Sequence, residues 1–478
     1  MTWLFMLIPL SLVIFVAVMI LRAAMFKPTK HPRIADRVEA FDQERTVENL
    51  RTLVRFKTVS YRDKNREDDR EFDELIRSLP QLYPHVFETC EFQQLPDRAL
   101  LFRWRGKKEE MPAVMMAHYD VVPADEKAWE LPPFEAILKD GCVWGRGTLD
   151  TKVTFNGILS AADHLIHRGF TPEQDIYFAF SGGEEVNGMG AVHIVDYFEK
   201  HEIHPSFVLD EGGAVVKNVF PGVNAACGLI GIAEKGMMDV QYTVTSNGGH
   251  ASAPKPNAPI DLLSKSCIRL LKKPFPCHLT PPVAKMFDTL GRHSSFGYRI
   301  IFANIKLFLP ILNMICKKGG EMNALMRTTV AFTQAQGSDA SNVIPPTAAM
   351  VSNIRLNPDD DMDSALSYIR KIVGDERVEI SCLRGMNPSR ISRTDCEGWE
   401  KVASAVGSTW RGCIVSPYLM VQCSDSRHWG KISDRVYRFS AMELTSEERA
   451  TIHGNNERIR TEAVAKAVEF YIRLIRMC

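Results

Sequence analysis

Asp175-Ile176-Tyr177-Phe178-Ala179-Phe180-Ser181-Gly182-Gly183-Glu184-Glu185 is the stretch on which the fold turns. A short apolar run of strand length comes first, a Gly-Gly turn follows, and two adjacent carboxylates close it. Working outward, Ala113-Val114-Met115-Met116-Ala117 is another apolar run, and it ends at His118. Phe207-Val208-Leu209 ends at Asp210. Between these runs, Thr154 to Arg168 reads as a helix stopped by Gly169, and Ala191 to Lys200 as a second helix. Strands alternating with helices predict an α/β domain with a mostly parallel sheet. Ligands in such folds sit beyond the carboxyl ends of the strands. His118, Glu184, Glu185 and Asp210 all fall there.

The texture changes near Gly236. Met238 to Val244 alternates, a turn-rich segment leads to Pro254, and Ile260 to Leu271 reads as a helix. Ala348 to Leu356 alternates again, Met362 to Val373 reads as a helix, and Arg377 to Leu383 as a strand. This pattern predicts a smaller α+β domain, 236–384, inserted into a catalytic domain made of 31–235 and 385–478. Within the insert, Tyr298 to Cys316 is strongly apolar but broken by Lys306 and Pro310, which suits a lid element or subunit contact.

Residues 1–30 read as a membrane anchor. Trp3 to Leu21 carries no charge, and as a helix it spans about 28 Å, near the ~30 Å hydrocarbon core. A signal peptide cleaved near Ala23-Ala24 is the alternative, but the chain lacks a basic leading segment. Arg22, Lys27, Lys30, Arg33 and Arg37 follow the apolar stretch and none precedes it, which favours a single N-terminal span with the body on the cytoplasmic side.

Lys+Arg and Asp+Glu are both 58 in 478 residues, so no global field draws the chain to nucleic acid. Eleven cysteines without a CxxC pair suggest buried free thiols. Selectivity must come from local sites.

A neutral His118 can ligate a metal, with Asp120 holding its other ring nitrogen. Asp150, in Gly145-Arg146-Gly147-Thr148-Leu149-Asp150, can bridge two cations or cap the following helix. Glu184 and Glu185 repel one another unless a cation compensates. One can ligate while the other takes a proton from water. Asp210 and His453, the latter in Thr451-Ile452-His453-Gly454, complete the candidates.

As a set these segments resemble the zinc-dependent exopeptidases and aminoacylases, nearest to the carboxypeptidase S and N-acyl amino acid synthase/hydrolase branch. The matching stretches are Met116 to Pro123, Trp144 to Asp150, Ser181 to Glu185, Gly248 to Pro254, Ser341 to Pro346 and Arg449 to Gly454. The resemblance runs from about Val47 to the C-terminus. It implies two divalent metal ions, taken as Zn2+, one held by His118, Asp150 and Asp210, the other by Asp150, Glu185 and His453. It implies Asp120 as orienter, Glu184 as general base, and His250 reaching across a homodimer to the substrate carbonyl. Asn342 and Arg355 match substrate-binding positions, and Arg355 can pair with a free carboxylate. The implied reaction is hydrolysis of an amide in a small peptide or N-acyl amino acid. Rivals are an aminopeptidase of the same fold and a catalytically silent, membrane-tethered binding protein. Cys423 and Ser424 depart from the relatives' pattern before Asp425.

Overall fold

The computed structural model describes residues 2–28, 40–317 and 319–478. Its centre is an eight-stranded sheet. The strands are β1 (Glu91–Leu95), β2 (Ala99–Trp104), β3 (Lys108–His118), β4 (Gln174–Ser181), β5 (Phe207–Val216), β6 (Cys227–Glu234), β13 (Ile414–Met420) and β14 (Val436–Leu444). Their order is β1-β2-β4-β3-β5-β14-β6-β13. The centre is parallel, with β3 beside β4 and β5, and β5 beside β14. The sheet as a whole is mixed, with four of its seven neighbouring pairs parallel. A tight hairpin adds β1 to β2, β2 runs antiparallel to β4, and β6 runs antiparallel to β14.

Helices α2 (Lys152–His167), α3 (Gly190–Lys200) and α9 (Thr461–Ile475) cover the two faces. The strand runs are apolar on both sides because both sides are covered. Phe178, Phe180, Met115, Ala117 and Leu209 pack with α2 and α9 in the main core, while Tyr177, Ala179, Val114 and Val208 pack with α3.

A second sheet holds β7 (Gly236–Thr245), β9 (Thr329–Gln336), β11 (Thr347–Leu356) and β12 (Glu379–Met386) in the order β9-β11-β7-β12, all antiparallel neighbours. Helices α4 (Pro259–Lys272) and α8 (Met362–Val373) pack on it around their own core of Met238, Val240, Leu263, Ile354 and Ile369. A two-stranded ribbon, β8 (Gly249–His250) with β10 (Val343–Ile344), projects from this sheet. Helices α5 (Pro281–His293), α6 (Phe296–Ala303) and α7 (Ile305–Cys316) lie between β8 and β9 in sequence, yet Met286, Leu290, Phe302 and Cys316 belong to the main core. The segment expected as a lid element or subunit contact is two helices bent at 103°, with Phe302 and Cys316 in the main core.

Thr2–Met25 forms helix α1. Among the described residues no single helix is long and apolar enough to cross a membrane, and Leu10–Met25 is a shorter apolar helical stretch. Val13, Leu21 and Met25 are exposed, while Ala23 is buried and the Asn304 side-chain amide donates to Met19's carbonyl oxygen. Lys30, Arg33 and Arg37, invoked for sidedness, lie outside the described residues.

Candidate active site

Parallel strands bring their carboxyl ends to one edge, and the register pairs His118 of β3 with Ser181 of β4. The Gly182-Gly183 turn then carries Glu184 and Glu185 back over that edge. The two are tied to β3 through one side chain. The backbone amides of Glu184 and Glu185 donate to the two carboxylate oxygens of Asp120, at 3.1 and 3.2 Å. Asp120 is fully buried, so its position fixes both the histidine two residues before it and the acidic pair.

His118 is buried, and its Nδ1 lies 3.0 Å from Asp120's carbonyl oxygen and 3.4 Å from its carboxylate. A carbonyl only accepts, so Nδ1 donates and Nε2 is left as the ligating nitrogen. That nitrogen faces Asp150 Oδ1 at 3.0 Å and Glu211 Oε1 at 3.4 Å. His453, half-exposed at the mouth, repeats the arrangement. Its Nε2 faces Asp150 Oδ2 at 3.0 Å and Glu185 Oε2 at 3.1 Å. Each imidazole nitrogen therefore points at one oxygen of Asp150 and one glutamate oxygen.

The loop that carries Asp150 is held from a distance. Gly147 has φ +86°, and a Cβ there would lie 2.6 Å from Val121. Glu457, fully buried, accepts from the backbone amides of Gly147, Leu149 and Asp150 and from the Arg146 guanidinium at 2.7 Å. Sequence reading did not single out Glu457. Its only signal was an acid four residues after His453, and its role depends on contacts across some 310 residues.

Asp210 and Glu211 separate by strand period. Successive residues of β5 face opposite sides, so only one of the pair looks into the cavity. Glu211 is that one, beside His118, whereas the Asp210 carboxylate accepts from the Ser426 amide at 2.9 Å. Glu211, beside the expected Asp210, makes the close contact with the His118 ring, while the charge of His118 also bears on Asp210. Both acids stand in Asp210-Glu211-Gly212, and the sequence alone does not separate them.

The resulting cavity, about 340 Å³, is lined by Asp150, Glu184, Glu185, Glu211 and His453, with Met420, Met442 and Leu444 as its apolar wall. Burial pushes the Glu185 carboxyl up to about 7, aided by the charge of Asp150. Burial likewise raises Glu211 to about 8, with Asp150 again adding to it. Glu184 stands well above the ordinary carboxylate range, chiefly by burial and then by Asp425, Glu211 and Glu185. For His118, burial favours the neutral ring, but Glu211, Asp120 and Asp150 outweigh it and raise the pKa. Hydrogen bonds to Asp150 and Glu185 lift His453 to about 10.

These shifts describe too many acids in too little water, and cations would relieve them. Glu185 Oε1 is buried with no hydrogen-bond partner. Two histidine nitrogens, one shared aspartate and separate glutamates form a nitrogen and oxygen donor set that fits divalent zinc-like ions. His118 with Glu184 and Glu211, and His118 with Asp150 and Glu185, are groups whose donor atoms lie within 4.8 Å of one another.

The small-sheet residues behave differently. His250 is exposed on the ribbon, where its Nδ1 accepts from the Ser252 amide, and Asn342 is beside it, its carbonyl accepting from Ala251. The structure brings these two together but not into the cavity. Arg355 lies on β11, bonded to Asn353 and 3.4 Å from Cys423 Sγ. Cys423 lines the cavity, so Arg355 stands one side chain behind its wall. The Ser424 amide donates to buried Glu234, and Asp425 accepts from Ser181, which fixes the departing segment structurally.

The profile of peptidase family M20/M25/M40 matches residues 114–477. The chain is 34% identical over 479 residues to N-fatty-acyl-amino acid synthase/hydrolase PM20D1 of Xenopus tropicalis, covering 98% of this chain and 93% of that one. It is 31% identical to a probable carboxypeptidase S-like 2 of Dictyostelium discoideum, covering 94% and 89%. In fold it is similar to the M20 family metallo-carboxypeptidase Sso-CP2 of Sulfolobus solfataricus, with TM-score 0.68 and 16% identity, over 90% of this chain and 98% of that one.

Proposed function

Since this chain belongs to the M20/M25/M40 peptidase family, we propose that it is a di-zinc amidohydrolase of N-acyl amino acids with a free carboxylate. The supporting observation is the placement of Asp150 between His118 and His453, one oxygen toward each nitrogen. We assign one cation to His118, Asp150 and Glu211, with Glu211 replacing Asp210, and the other to Asp150, Glu185 and His453. When bound, such a pair supplies Lewis acidity to the substrate carbonyl and lowers the pKa of nearby water.

The chain's own residues supply the rest. Glu184 ligates neither assigned ion and lies in the cavity beside Glu185. Its raised basicity suits it to take a proton from water and hand it to the leaving amine nitrogen. Asp120 holds the His118 ring and the Glu184 amide at once, which keeps base and ligand in register. Arg355, behind Cys423, is placed to anchor a carboxylate once that wall shifts. His250 and Asn342 are assigned to the site of a second copy, as a homodimer through the inserted domain would place them.

N-acyl amino acids are favoured over dipeptides by the apolar wall of Met420, Met442 and Leu444. Incubating zinc-loaded protein with pooled N-acyl amino acids and dipeptides, followed by mass spectrometry, tests this. Acyl substrates should be consumed, and chelation should stop it. Consumption of dipeptides alone would refute the substrate class.

Membrane attachment through α1 is part of the proposal, on the strength of its exposed apolar side chains. Arg22 in the last turn of the helix and Lys27 just after it favour a cytosolic body. Protease protection in sealed vesicles decides the side.

A further inference from the structure

Two crossings between the large and small sheets run side by side. Residues 234–236 lead out to β7, and residues 387–390 lead back from β12. The Ser389 amide donates to the Glu234 carbonyl oxygen at 3.1 Å, and a Cβ on Gly236 would lie 2.6 Å from the Pro388 nitrogen. Against the returning crossing stands a cavity of about 530 Å³. Its other walls are the loop from Asn187 to Met189 and the short helical turn Asp425–Lys431. That loop follows Glu185, and that turn follows Cys423, both of which line the catalytic cavity.

The two cavities differ in charge. Four carboxylates line the catalytic one. Arg390, Arg427, His428 and Lys431 line the other, and no acidic side chain among the described residues does. Arg427 is the strongest of these, with its side chain only 9% exposed. Its Nη1 donates to the Ser424 carbonyl oxygen at 2.8 Å and its Nη2 to Asn187 Oδ1 at 3.0 Å. Its Nε is buried with no hydrogen-bond partner, so this guanidinium keeps a donor that the chain does not use. Burial works against its charge, but Asp425, Glu234 and Glu184 outweigh burial and keep it protonated. Asp425 is 3.8 Å away, beyond hydrogen-bond range. Lys431 has Asp196 at 3.9 Å, and that pair is half-exposed and weak. Burial first, then the charges of Arg427 and Lys431, hold His428 down at about 4. Helix α3 begins at the rim, where Met189 gives it no side-chain cap and lines the cavity together with Val192. The uncapped positive end of a helix adds to the attraction for an anion.

We propose that this basic cavity is a binding site for a small phosphate monoester. A phosphate monoester carries close to two negative charges and several acceptor oxygens, which suits a guanidinium, further cations and a helix N-terminus at one place. The cavity is larger than inorganic phosphate alone would fill, and its size is that of a small-molecule site. Met189, Val192 and Met386 give it an apolar side for the organic part. The site lies outside the acidic cavity, and the proposal goes beyond the amidohydrolase reading without depending on it. A ligand here touches the chain returning from the small sheet and Arg427, which holds the Ser424 and Asn187 segments. Occupancy therefore ties the small sheet to the catalytic edge.

The test is calorimetric titration of the full-length, zinc-loaded protein with two probes, AMP and inorganic phosphate. AMP is expected to bind. Tighter binding of AMP than of phosphate identifies an organic ester as the occupant, and equal binding identifies free phosphate. Arg390→Glu combined with Lys431→Glu changes two exposed side chains and so is safe for folding. It should weaken AMP binding roughly tenfold or more. Asp150→Ala, which breaks the metal cluster at a separate place, should leave AMP affinity within about twofold. No binding of either probe to the wild type, or an AMP affinity unchanged in the double variant, would overturn the site. Loss of AMP binding in Asp150→Ala would place the phosphate on the metal ions and overturn it as well.

Discussion

The edge of the large sheet and the ribbon of the small domain carry chemistry in opposite ways. At the sheet edge, His118, Asp150, Glu185 and Glu211 converge within hydrogen-bond range, and the side chains that position them are buried. On the ribbon, His250 and Asn342 are neighbours but stand exposed, with no part in the cavity lining. The contrast teaches that a single chain assembles the metal-binding half of the site by itself. On the function proposed above, the other half is supplied by a second surface, through domain closure or a second copy.

The sharpest way to break the first half is Glu184→Gln. It should lower kcat by about 10²–10⁴-fold while bound metal, measured by atomic emission, stays at wild-type level. Loss of metal together with activity would make Glu184 a ligand rather than a base.

The second half is tested by mixing. His250→Ala should lose roughly 10²–10³ in kcat, as removal of one oxyanion donor does. Co-refolded His250→Ala and Asp150→Ala chains, each inactive alone, should recover activity, because one mixed site then contains both native residues. No recovery would place His250 in its own chain's site or outside catalysis.

A smaller effect separates adjacent acids. Glu211→Gln should weaken metal binding more than Asp210→Asn, which acts through the Ser426 amide and should cost about 10–100-fold. Equal losses, measured by competition with a zinc chelator, would return Asp210 to the ligand set.

The smallest concerns the wall behind the cluster. Burial, followed by Arg427 and Lys431, lowers His428 to about 4, below its ordinary 6.5. The unfolded chain therefore binds the extra proton first. The stability tied to a neutral His428 is complete above about 6.5 and is lost as pH falls towards 4. His428→Gln should remove roughly 1–2 kcal/mol of the acid-induced loss between pH 7 and 4. An unchanged melting difference between those pH values would assign the loss elsewhere.

These outcomes also mark what the sequence made legible. The apolar runs before His118 and Glu184 announced buried strands and put the acids at their ends. Their direction was not encoded there: β2 and β6 look like their parallel neighbours but run the other way, because connections, not composition, set direction. Asp210 against Glu211 was a choice of strand face, which needs the register of β5. Glu457 was silent because its partners, the amides from Gly147 to Asp150, are near only after folding. The return of α5, α6 and α7 to the main core was equally hidden, since an apolar segment does not name the surface it covers. What the scattered ligands did carry was chemical type, and the sheet supplied the geometry.

Asp150 as the shared ligand of both cations is the central claim. Zinc-edge anomalous diffraction from crystals of the zinc-loaded protein measures this directly. Two anomalous peaks are predicted, one flanked by His118 and Glu211, the other by His453 and Glu185, with an oxygen of Asp150 on each. A single peak, or two that do not share Asp150, would contradict it.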